Sequence, residues 1–99
     1  MKHADYDNFL NKELKDTEIA AEYLNAALEG GSIPELLIAL RNVAQAHGIS
    51  ELSSVTKLNR QALYKMLSDK GNPTLGSLLV LLKAVGLHLI FTPLQDKAA

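Results

Sequence analysis

Arg60, Gln61, Tyr64 and Lys65 are the residues left facing outward on a short amphipathic stretch, and their types suit one kind of chemistry. Arginine presents a fork of donors to guanine, glutamine pairs with adenine, and lysine or tyrosine takes a base edge or a phosphate. A helix carrying such a set suits the major groove of double-stranded DNA. Asn59, where an N-cap must sit, and Lys57 just before it complete the candidate DNA-contacting group.

Other chemistries find no support. His3, His47 and His88 never pair at i, i+3 or i, i+4, and cysteine is absent, so no metal site is assigned. No paired carboxylates converge on a cleft, Gly30-Gly31 lacks the lysine of a phosphate loop, and Ser53 and Ser54 have no His and acid nearby in sequence. No catalytic residue and no cofactor is assigned, and an enzyme is not expected.

The 99 residues suffice for one domain and one small core. Apolar residues are 47% of the chain and 19 positions are Leu, which marks a globular protein. The longest apolar runs, Leu36 to Leu40 and Leu78 to Leu82, are far short of the ~20 residues of a membrane span. Met1 to Leu14 is polar and unlike a signal peptide, so the expectation is a cytoplasmic protein with no membrane partner. The overall charge of −1 hides an asymmetry: residues 1–35 carry −5 and residues 36–99 carry +4. An acidic front and a basic rear imply two surfaces with different partners.

The elements that must position these residues follow from capping and periodicity. Asp16 caps a helix predicted over Thr17 to Glu29, with Ile19, Tyr23, Leu24, Ala27 and Leu28 as its apolar stripe and Gly30-Gly31 as its stop. Phe9, Leu10 and Leu14 are candidate anchors in the otherwise aperiodic residues 1–15. Ser32 and Pro34 start a second helix that runs to Gly48. Two short helices follow, Glu51 to Thr56 and Arg60 to Leu67. Leu52 and Val55 are the expected inner face of the first, Leu58 the plug in the turn, and Leu63 and Met66 the inner face of the second. Thr74 caps a last helix, Leu75 to Val85, closed by Gly86. Leu87 to Thr92 has strand composition and stops at Pro93, and Gln95 to Ala99 reads as a frayed tail.

This pair of short helices resembles the helix-turn-helix of phage repressors and Cro, the XRE type, in which the second helix is the recognition helix. Lys57 replaces the usual turn glycine, and Ser53 is the small residue usual in the first helix. A non-glycine residue in the left-handed region costs roughly 1 kcal/mol, so a strained or differently shaped turn is expected. Over roughly residues 6–92, the runs Asp16 to Leu24, Ala39 to Ala44, Leu63 to Ser68 and Gly71 to Leu75 resemble the HigA-like addiction-module antidotes. The resemblance implies an antitoxin of a type II toxin-antitoxin module that neutralises a small RelE/ParE-like toxin and represses its own operon.

The reading is therefore an all-α, five-helix repressor-type helix-turn-helix domain with an extra N-terminal helix and a short C-terminal β-strand. Residues 1–31 form an arm and acidic helix, 32–86 the DNA-binding domain, and 87–99 the strand and tail. The last helix is apolar most of the way round, and one strand cannot satisfy its own backbone, so both point to a homodimer, with pairing of the strand to residues 1–10 or to the toxin as the alternatives. Leu87, Leu89, Ile90 and Phe91 would pair across a two-fold and suit a palindromic operator. Asp16 to Glu29 has the wrong sign for DNA and is the expected toxin surface, with residues 1–15 as the alternative contact. Two rival readings are a prophage-type repressor without a toxin and a protein-interaction module whose helix-turn-helix is idle.

Overall fold

Four side-chain caps set the helix starts in the computed structural model, which describes residues 10–95. The Asp16 carboxylate accepts from the backbone N–H of Glu18 (2.8 Å) and Ile19 (3.3 Å), opening α1, Thr17–Glu29. Ser32 Oγ accepts from Glu35 N–H and opens α2, Ile33–His47, with Pro34 in its first turn. Each cap satisfies a donor that the first helical turn leaves without a partner. Gly48 links α2 directly to α3, Ile49–Thr56, by adopting φ 120°, which a residue with a side chain rarely reaches. After a three-residue turn come α4, Arg60–Met66, capped by Asn59, and then α5, Leu75–Ala84, capped by Thr74. Residues 10–13 are also helical, in a stretch where the sequence pattern has no clear period.

The helices close on one apolar core. Leu52, Leu63, Leu67 and Leu81 are its largest fully buried side chains, one or two each from α3, α4 with its C-cap, and α5. Val43 and Ala44 bring α2 onto this cluster, and Ala20 and Leu24 bring α1. Leu14 is buried and Leu10 packs against the core, as their candidate roles as anchors required; Phe9 lies outside the described residues, as do 96–99 of the tail. Burying a leucine contributes roughly 1.5–3 kcal/mol, so the two short helices are held by this shared core rather than by their own propensity.

Three expectations need correction. Val55 is 62% exposed, and the inner face of α3 is Ile49, Leu52 and Thr56. At 3.6 residues per turn Val55 lies about 100–120° round the helix from Ile49 and Thr56. The helix begins at Ile49 rather than Glu51, and the face that holds Ile49 wins. At the end of α4 the deeper contact is its C-cap Leu67, at 1% exposure, with Met66 half-buried and packed against the core. Finally, no strand forms among the described residues: Leu87 to Thr92 is irregular, with Ile90 68% and Phe91 93% exposed. A β-ladder needs a second strand to receive its hydrogen bonds, and none is present among the described residues.

Candidate nucleic-acid interface

The turn between α3 and α4 is built from three residues with distinct jobs. Thr56 is buried, and its hydroxyl donates to the Leu52 carbonyl (2.7 Å) while accepting from the Leu58 N–H (3.2 Å), tying the end of α3 to the turn. Lys57 takes the left-handed conformation, φ 68° and ψ 15°, as the replacement of the customary glycine implied, and is the one non-glycine residue with positive φ among those described. Its N–H returns to the Ser53 carbonyl. Asn59 Oδ1 accepts from the Ala62 N–H at 2.7 Å, so the carbonyl side of this amide is committed to capping α4 and only its NH2 remains for a ligand.

On α4, Arg60, Gln61 and Lys65 are exposed and no residue of the helix is acidic. Leu63 anchors the opposite face at 0% exposure. Tyr64 differs from its neighbours: it is half-buried, packs against the core, and carries the Arg41 guanidinium over its ring, 5.5 Å from the centroid. That cation–π contact contributes roughly 0.5–1 kcal/mol where solvent reaches it and restricts both side chains.

Arg41 and Tyr64 line a groove of about 890 Å³ that also meets Arg60, Asn42 and Gln45. Asn42 donates from Nδ2 to the Tyr23 hydroxyl at 2.8 Å, holding α2 against α1 on the groove wall. Reasoning from the two short helices alone missed Arg41. A signal for it exists: Arg41 is the sole Lys or Arg between Lys15 and Lys57 and has no carboxylate at i±3 or i±4. A helix-surface cation is usually paired that way.

The other candidate surfaces sit elsewhere. Glu18, Glu22 and Glu29 are exposed on α1, whereas Ile19, Tyr23, Leu24 and Ala27 of its stripe are engaged in the core; Leu28 stays 57% exposed. An apolar trough of about 520 Å³ runs between α1 and α2, floored by Ala26, Ala27 and Ile38 with Glu35 and Asp69 along it. Of the residues named for dimerisation, Leu87 is half-buried, while Leu89, Ile90 and Phe91 are exposed. Leu75, Leu79 and Val80 of α5 are exposed as well, the face that its all-round apolar character leaves over. No cluster of three or more potential metal ligands occurs among the described residues, and none of their helices is long and apolar enough to cross a membrane.

Comparison with known proteins adds a family. Residues 4–93 match the family described as "Probable addiction module antidote protein". A protein of Haemophilus influenzae described only as uncharacterized is 32% identical over 88 residues, covering 80% of this chain and 91% of its own. No solved structure matches the chain.

Proposed function

The chain belongs to the probable addiction module antidote family, and from that premise we propose that it is a DNA-binding antitoxin that neutralises a small RelE/ParE-like toxin and represses its own operon. An antidote acts by binding, so a toxin partner is implied by the family itself. The observation that carries the DNA half is the face of α4: Arg60, Gln61 and Lys65 exposed together, without an acid, on a helix whose N-terminus is capped and whose back is locked by Leu63. In this reading α3, the Lys57–Asn59 turn and α4 act as a helix-turn-helix. Arg60 and Gln61 reach base edges, and Lys65, Lys57, Tyr64 and the Asn59 NH2 contact backbone or base edges nearby.

Two such units must be set about 34 Å apart to read successive major grooves. Pairing of Leu87, Leu89, Ile90 and Phe91 with the same residues of a second copy would supply that arrangement and cover apolar side chains now in water. The acidic face of α1, with Glu18, Glu22 and Glu29, is repelled by phosphate and suits the basic surface of a toxin that itself works on nucleic acid. The alternative toxin contact, residues 1–15, falls largely outside the described residues.

The decisive experiment is binding to the DNA upstream of its own gene. Arg60→Ala and Gln61→Ala should each cost ~1–3 kcal/mol on the operator and relax preference at one position per half-site. Unchanged affinity in both variants would rule out the α4 face. Co-purification with the product of an adjacent small gene tests the toxin half, and its failure would favour a plain repressor.

A further inference from the structure

The groove beside α4 has a composition that the DNA-reading helix does not explain. Two arginines, Arg41 and Arg60, line it from different helices, and the rest of its polar lining is asparagine, glutamine and tyrosine, with no acidic residue among those described. A solvated helix surface in a chain of net charge −1 normally mixes signs, and this one does not. Arg41 is also the better restrained of the two cations. Its guanidinium sits over the Tyr64 ring, and Tyr64 is packed against the core. A cation–π contact uses the charge of the guanidinium and not its N–H donors, so the ring that restrains Arg41 leaves those donors for a ligand.

We propose that this groove seats the DNA sugar–phosphate backbone, with Arg41, positioned by Tyr64, donating to phosphate oxygens as a contact outside the two short helices. The proposal rests on the DNA-binding reading above and extends it to α2. Arginine forks match phosphate geometry, and a fork already immobilised loses less conformational freedom on binding than a free lysine. Asn42 and Gln45, on the same wall, offer further neutral donors to the backbone. The ligand of Arg41 is a phosphodiester rather than a base because Arg41 enters from α2, beside the α4 face that carries Arg60, Gln61 and Lys65; Arg60, where the groove meets that face, remains the base-edge contact.

The test measures fluorescence anisotropy of two labelled duplexes of equal length, the upstream operator and a scrambled control, titrated with the full chain across a salt series. Arg41→Gln should weaken binding to both duplexes by roughly tenfold at 0.1 M salt and lower the salt slope by about one, with its circular dichroism and melting curve near wild type. Arg41→Lys should retain the slope yet lose part of the affinity, because it keeps charge and loses the fork. Tyr64→Phe, which loses the hydroxyl but keeps the ring under Arg41, should keep the wild-type salt slope, whereas Tyr64→Leu, which releases the guanidinium, should weaken both duplexes further and lower the slope. Wild-type affinity and slope in Arg41→Gln would overturn the inference while leaving the α4 reading intact. A loss confined to the operator would overturn it too, since Arg41 would then read a base. Wild-type protein that binds neither duplex would remove the DNA reading and this inference with it.

Discussion

Replacing Lys57 by glycine should make the protein more stable although it removes a side chain and adds nothing. Lys57 sits at φ 68°, ψ 15°. A residue with a Cβ loses roughly 1–2 kcal/mol there relative to the right-handed region, and glycine does not. Glycine in turn lowers stability by roughly 0.4–1 kcal/mol by giving the unfolded chain more freedom. The difference favours the variant by about 0.5–1 kcal/mol, which for a domain of this size raises Tm by about 2–8 °C. Lys57→Ala is the control, because it deletes the same exposed side chain but keeps the Cβ in the left-handed position; its Tm should stay close to wild type. The assay is thermal and urea unfolding followed by far-UV circular dichroism on all three proteins. Equal stability of the glycine and alanine variants would refute the reasoning, since it would mean that the turn carries no strain for glycine to release. DNA affinity separates the two roles of the position: if Lys57 also contacts phosphate, both variants weaken binding alike, whatever their stability.

Gly71→Ala should lower stability by about 1–3 kcal/mol in the same unfolding assay, because a Cβ there runs into the backbone carbonyl of Met66 while the Gly71 N–H is tied to Ser68. Ile90→Pro should leave the protomer folded by circular dichroism, since Ile90 is exposed and in no ladder within the described residues, yet convert a dimer to a monomer in size-exclusion chromatography with light scattering; a wild-type protein that is monomeric at micromolar concentration would end the pairing idea. Reversing Glu18, Glu22 and Glu29 together to lysine should slow association with the toxin by about tenfold or more at low salt, with the effect fading as salt rises, in stopped-flow or surface-binding kinetics; an unchanged rate would move toxin recognition off α1.

The sequence by itself determined where four of the helices begin, because those signals are local. Asp16, Ser32, Asn59 and Thr74 each bond to an N–H two or three positions ahead, so the cap and its partner stand in one short window of sequence. The same holds for the left-handed residue at Lys57 and for the family, whose runs of residues extend over most of the chain. It also determined three of the four outward residues of α4, Arg60, Gln61 and Lys65, while Tyr64, read as outward, is half-buried against the core. What the tertiary structure alone decided depends on how helices are rotated against one another. Val55 and Thr56 are adjacent in sequence, yet only the start of α3 at Ile49 and its seat on the core put Thr56 inside and Val55 in water. Arg41 and Tyr64 stand 23 positions apart on different helices, and no periodicity links them; packing of α2 near α4 brings the guanidinium over the ring. The strand composition of Leu87 to Thr92 expresses a propensity, whereas a strand is a relation between two segments. With no partner strand among the described residues, those backbone groups stay irregular and exposed.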